Sequence, residues 1–267
     1  MDAQALASGK LRLDRPAPHV ARLTIDNPKR RNALDHEILD ALATTVAGLD
    51  DARCLILTAA GSVFSAGYDI GNLSPERFAE RAEALVAHPF NDALEAMEQF
   101  PFPAVAALNG HAIGGGLELA LTCDLRIAAA GARLGMPPAR LGLVYSHTGL
   151  RKFVDVIGVA RTRELFFTAR SVTAAKAERW GLVNEVAADD ELAERSVELA
   201  ACIGALAPLS LRGNKRVLRE LLAAEGELDP AVERELVELR EACFHSEDFA
   251  EGVRAFAEKR PPRWTGR

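Results

Sequence analysis

Residues 106–121 read Ala106-Ala107-Leu108-Asn109-Gly110-His111-Ala112-Ile113-Gly114-Gly115-Gly116-Leu117-Glu118-Leu119-Ala120-Leu121. An apolar strand runs into three consecutive glycines, and an apolar helix follows with one carboxylate in its first turn. Passage from strand to helix through a tight turn is the unit of an α/β sheet. The first amides of a helix lack intrahelical partners, and the macrodipole adds about half a positive charge beside them. Glycines at that point let a substrate oxygen approach the backbone. A second turn of this kind, Val63-Phe64-Ser65-Ala66-Gly67-Tyr68-Asp69-Ile70, follows the apolar run Cys54 to Leu57. Two such turns are the parts of a two-amide oxyanion hole.

The same alternation extends in both directions. Lys10 to Asp14 and His19 to Ile25, separated by Pro16 and Pro18, predict a hairpin entering a sheet. From Asp35 the spacing of Ile38, Leu39, Leu42, Val46 and Leu49 predicts a helix leading to a strand over Cys54 to Thr58. Strand Val105 to Leu108, helix Gly115 to Leu121 and strand Leu125 to Ala130 continue the series, which predicts a largely parallel α/β sheet. Leu73 to Phe100 is polar and helical, with Ser74 as N-cap before Pro75, and suits a wall beside the active-site turn. Beyond Asp189 the sequence changes to four helical patterns, Leu192 to Leu206, Leu209 to Leu222, Val232 to Cys243 and Asp248 to Lys259, with breaks at Pro208, Gly226 to Pro230 and Ser246.

Composition narrows the function classes. The 267 residues are 49% hydrophobic, enough for a large single core with an appended subdomain. A net charge of −6 argues against a general nucleic-acid or membrane surface, so neither partner is expected. Cys54, Cys123, Cys202 and Cys243 are widely spaced, without a CxxC or a metal-like cluster with histidine; they read as reduced thiols, and no metal is expected. Met1 to Lys10 lacks the apolar stretch of a signal peptide, and no segment approaches a membrane span, so a cytoplasmic location is expected.

With these motifs in order, the chain resembles the crotonase superfamily, also called the enoyl-CoA hydratase/isomerase family. The resemblance is carried by Phe64-Ser65-Ala66-Gly67-Tyr68-Asp69-Ile70, by Asn109 to Glu118 and by Cys123-Asp124. Asn27-Pro28, Asn32-Ala33-Leu34, Ala175-Lys176-Ala177 before Gly181-Leu182-Val183, and Glu251-Gly252 with Phe256 and Lys259 add to it. It implies an α/β fold, a crotonase-like spiral of ββα turns with a C-terminal helical subdomain. Residues 1–190 would be the acyl-CoA-binding core, and residues 191–267 a helical region that serves oligomerisation and completes the coenzyme A site. A homotrimer or homohexamer is implied, as is an acyl-CoA thioester substrate, with no cofactor beyond the coenzyme A that the substrate carries.

The resemblance also implies roles. Backbone amides of Tyr68 and Gly115 would form the oxyanion hole, and Glu118 would act as acid or base. Lys29, Arg30, Arg31 and Ala66 would lie beside the adenine and phosphates of coenzyme A, and Phe256 and Lys259 near the ligand of an adjacent subunit, with Arg140 a weaker candidate. The second glutamate of the hydratase pattern falls on Pro138, which has no proton to give or take. No acidic residue occurs between Asp124 and Asp155 to replace it. The stretch Met136 to Tyr145 resembles that of methylmalonyl-CoA decarboxylases, which implies that Tyr145 orients a substrate carboxylate. Decarboxylation of a malonyl-type thioester and single-glutamate isomerisation of an enoyl-CoA are the expected reactions. Hydration with a non-standard second group, or a noncatalytic acyl-CoA- or RNA-binding role, is the alternative. His147, read as a loop residue, is a candidate acid or a support for Tyr145, and His111 is read as packing.

Overall fold

A computed structural model describes residues 3–69, 89–224, 230–260 and 262–263. Its larger sheet holds β1 (Gln4–Leu6), β2 (Leu11–Ala17), β3 (Val20–Ile25), β4 (Cys54–Ala59), β6 (Ala104–Leu108), β8 (Leu125–Ala129) and β11 (Glu185–Ala187), side by side in that order. The β1–β2 and β2–β3 pairs are antiparallel, the second being the expected hairpin, and every pair from β3 to β11 is parallel. The near-continuous apolar runs of β4 and β6 fit this arrangement, because an inner parallel strand is covered on both faces.

A smaller sheet, ordered β10-β9-β7-β5, is built from β5 (Val63–Ser65), β7 (His111–Ile113), β9 (Arg133–Gly135) and β10 (Val172–Thr173). Strands β5, β7 and β9 run parallel, each entered directly from a strand of the larger sheet. Thus β4, β6 and β8 each pass a short strand to the second layer before the chain turns into helix, and the repetition makes a spiral of ββα turns. The spiral brings the carboxyl ends of β5, β7 and β9 to one rim.

Helix α1 (His36–Ala47) starts at Asp35, whose side chain accepts the Ile38 amide at 2.9 Å, and buries Ile38, Leu39, Leu42 and Val46. It packs on α2 (Asn91–Gln99). Ser74 and Pro75, in the polar insertion, lie outside the described residues. Helix α3 (Gly115–Leu121) is buried throughout. The long helix α4 (His147–Thr168) follows Ser146, which caps it by accepting the Gly149 amide, and is broken at Gly158. His147 therefore opens a helix, half-buried, and the loop reading of that residue is corrected. After α5 (Ala174–Trp180), α6 (Leu192–Gly204) packs across β2, β3, β4, β6 and β8 and so covers the larger sheet.

The remaining helices are α7 (Pro208–Ala224), α8 (Pro230–Phe244) and α9 (Glu247–Ala257). Pro208 opens α7 rather than breaking a helix, as its fixed φ and missing N–H allow in a first turn. Lys215 ties α7 to the core through Asp124 Oδ2 at 2.8 Å and the Phe102 carbonyl at 2.9 Å. No single helix among the described residues is long and apolar enough to cross a membrane.

Candidate active site

The rim where β5, β7 and β9 end carries both turns singled out in the sequence. After β5, Gly67 adopts φ +91°; after β7, Gly114 adopts φ +56° and ψ −128°, conformations that side chains rarely tolerate. Each lets its turn bend sharply without moving the strand before it. The turns meet: a Cβ built on Gly67 would stand 3.2 Å from the Gly115 nitrogen. The Gly115 amide heads α3, where no intrahelical acceptor exists, and the Tyr68 ring lies over the Gly115 Cα.

Two buried side chains hold the first turn. Ser65 Oγ accepts the Gly67 amide at 3.1 Å and donates to the Asn32 carbonyl at 2.8 Å. Asn32 donates to the carbonyls of Ala60 at 2.8 Å and Val63 at 2.6 Å, and its oxygen accepts the Asn27 amide at 2.8 Å. Leu34 brackets the turn from outside, donating to Gly67 O and accepting from Asp69 N. Asn32 and Ser65 belong to stretches that carried the family resemblance, but their positioning work depends on contacts across some thirty residues.

Glu118 projects from the first turn of α3 and is only 2% exposed. Burial pushes its carboxyl up to about 7, against the opposing pull of a hydrogen bond from Tyr145 and the Lys152 cation, with Glu98 adding to the rise. The Tyr145 hydroxyl donates to Glu118 Oε2, and the Tyr68 phenol is also within hydrogen-bond reach of Tyr145. Burial and the adjacent Glu118 charge hold Tyr145 well above the usual phenol range, so it stays a donor. Edge contacts fix both rings: Tyr68 on Phe90 at 4.7 Å, and Tyr145 on Phe166 at 5.6 Å between centroids. Lys152 and Glu98 form an ion pair nearby that the sequence reading missed, because its members lie 54 positions apart on different helices.

Pro138 is buried in the 3-10 turn Pro138–Leu141, which follows β9 at the same rim. Helix α9 of the same chain packs on this turn: a Cβ on Gly252 would stand 2.5 Å from the Leu141 carbonyl oxygen, and one on Gly142 2.9 Å from that of Asp248. Phe256 and Lys259, at the end of α9, are exposed, and among the described residues no hydrogen bond or ion pair joins them to the basic loop.

That loop is brought to the site. Lys29, Arg30 and Arg31 are exposed, the Arg31 carbonyl accepts the Ala66 amide at 3.0 Å, and Arg30 pairs with Asp69 at 2.5 Å. Arg140 is exposed. His111, read as packing, is in fact exposed at the start of β7, where its Nδ1 accepts the Arg133 amide at 3.3 Å. Among the described residues no group of three or more His, Cys, Asp or Glu side chains is placed to hold a metal. Cys54 and Cys123 are buried free thiols and Cys202 is an exposed one; the Cys243 side chain lies outside the description.

A family model described as enoyl-CoA hydratase/isomerase matches residues 17–267. A short-chain-enoyl-CoA hydratase of Clostridium acetobutylicum is 33% identical over 90% of this chain and 92% of its own length. The crystal structure of a methylmalonyl-CoA decarboxylase complexed with 2S-carboxypropyl-CoA superposes with a TM-score of 0.89 at 30% identity, covering 100% of both chains. A monofunctional enoyl-CoA isomerase of M. smegmatis superposes with a TM-score of 0.70 at 33% identity, covering 81% of this chain and 95% of the other.

Proposed function

Because this chain belongs to the enoyl-CoA hydratase/isomerase family of acyl-CoA enzymes, we propose that it decarboxylates a short malonyl-type coenzyme A thioester through an enolate held by the amides of Tyr68 and Gly115. One observation carries this reading. The single buried carboxyl at the head of α3, Glu118, is met by the Tyr145 hydroxyl, while buried Pro138 stands where the family resemblance implies the second carboxylate of a hydratase.

The thioester carbonyl oxygen sits between the two turns, and Lys29, Arg30 and Arg31 meet the phosphates of the coenzyme at the mouth. The bond between the α carbon and the carboxylate breaks, carbon dioxide leaves, and the electron pair moves onto the thioester oxygen. Loss of one comparable amide donor costs about 3–4 kcal/mol of transition-state stabilisation, so two fixed donors supply much of the acceleration. Glu118, poised near neutrality, then gives its proton to the α carbon and is reprotonated from solvent. With Glu118 protonated, its O–H donates to the Tyr145 oxygen in place of the reverse bond, which leaves the Tyr145 O–H to the substrate's carboxylate.

The likeness to methylmalonyl-CoA decarboxylase over the whole chain supports this assignment. A second reading, single-base isomerisation of an enoyl-CoA, is favoured by Glu118 alone: a buried carboxyl near pH 7 can take a proton from one carbon and return it to another. Offering methylmalonyl-CoA and a 3-enoyl-CoA to the same preparation separates the two. Carbon dioxide release, weakened by Tyr145→Phe, is the expected result. Double-bond migration abolished by Glu118→Gln, without carbon dioxide release, would replace decarboxylation with isomerisation. Hydration of crotonyl-CoA near the roughly 10⁸ M⁻¹s⁻¹ diffusional ceiling would overturn both.

A further inference from the structure

Resting on the reading of Glu118 as the proton-carrying group of the site, we propose that the Lys152–Glu98 ion pair tunes it electrostatically. Lys152 is a positioning residue that favours the charged carboxylate, and Glu98 limits how far it does so.

The placement comes from α4. Gly149 backs directly onto the Glu118 carboxyl, and Lys152, three residues later, shares that face of the helix. Lys152 reaches Glu98 at the end of α2, so the pair bridges two helices beside the site. Neither side chain is fully solvated: Lys152 is 23% exposed and Glu98 39%, so their fields are only partly screened. Among the described residues the Glu118 carboxyl takes its one side-chain hydrogen bond from Tyr145. The ion pair therefore acts on Glu118 through space, with its two ends opposed in sign.

Lys152 comes from the second turn of α4 and Tyr145 from the segment just before its cap, Glu98 from α2, and Tyr68 from the turn after β5, while β7 brings His111, exposed at its start. Burial raises the Glu118 carboxyl, the Tyr145 hydrogen bond and the Lys152 cation draw it back down, and Glu98 offsets part of the lysine's pull. An acid that must give a proton and recover it near neutrality needs an intermediate setting, which a cation partly neutralised by its own partner supplies.

The test reads Glu118 directly. In protein labelled with carbon-13 at the glutamate side-chain carboxyls, the Glu118 resonance is the one lost in Glu118→Gln, and its titration is followed in Lys152→Met and Glu98→Gln. The midpoint should rise in Lys152→Met and fall in Glu98→Gln, each by on the order of half a pH unit. Lys152→Arg, which keeps the charge and the bond, should keep the wild-type midpoint. A pair that only staples α2 to α4 would be broken equally by either variant, so movement in one direction for both, or none, overturns the proposal. Opposite shifts together with turnover indifferent to Glu118→Gln would uphold the tuning while removing Glu118 from the chemistry.

Discussion

Gly149 and Glu118 approach so closely that a methyl group on Gly149 would stand 2.8 Å from Glu118 Oε1, and 2.6 Å from the Tyr145 ring. The first turn of α4 is thus the floor against which the carboxyl and the phenol are held together. Gly149→Ala should push them apart. Misplacement by about 1 Å can cost roughly 100-fold in turnover, and overpacking about 1–3 kcal/mol in stability. Steady-state kinetics and a denaturant melt check both, and unchanged turnover in a folded variant would show that the Glu118–Tyr145 contact is dispensable.

Glu118 makes stability depend on pH in the direction opposite to an ordinary carboxylate. Its native value, about 7, lies above the 4.5 of the unfolded chain, so between these values the native state binds more protons and stability falls as pH rises. The stabilising contribution is complete below pH 4.5 and gone above about 7, and its span is at most about 3 kcal/mol. Glu118→Gln removes this dependence. The stability of Glu118→Gln relative to the unsubstituted protein should therefore increase from pH 5 to pH 8. A difference that stays flat across that range would contradict the buried, raised carboxyl.

The elements of the larger sheet were legible in the sequence where a segment is long enough to show its period, while the spiral that joins them came only with the family resemblance. The apolar runs of β4 and β6, the start of α1 from Asp35 and the Gly114 turn were all read from local pattern. Strands β5, β7 and β9 were not, since three residues cannot display alternation and their partners lie far along the chain. Helix α4 escaped because Gly158, at φ +72°, interrupts its period. The spacing of Glu118 after Gly115 put it in the first turn of α3, where the structure has it. The ion pair of Lys152 with Glu98 and the bonds of Asn32 to Ala60 and Val63 follow from tertiary contact alone.

Asn32 illustrates the cost of such contacts. Its side chain is completely buried and satisfies three backbone groups around the turn that ends in Tyr68. Asn32→Ala leaves those groups without their partners, at about 1–3 kcal/mol for each buried group left unsatisfied. Both the melting temperature and kcat should fall, because the same bonds hold the turn that carries the proposed Tyr68 donor. Loss of stability with kcat intact would mean that Leu34 and Ser65 suffice to aim the turn.

Helix α7 carries the last expectation. Lys215 pins it to Asp124, yet Leu209, Val217, Leu218 and Leu222 remain more than half exposed, as does Leu206 just before it. Apolar side chains grouped this way on one helix and its lead-in mark a surface that association covers. A trimer or hexamer would also bring the exposed Phe256 and Lys259 within reach of a neighbouring coenzyme site. Light scattering at micromolar concentration should give a mass three or six times the 28.7 kDa of the chain, and Leu218→Glu with Leu222→Glu should reduce it. A monomeric native protein that retains full affinity for coenzyme A thioesters would remove both the assembly and the cross-subunit role of Phe256 and Lys259.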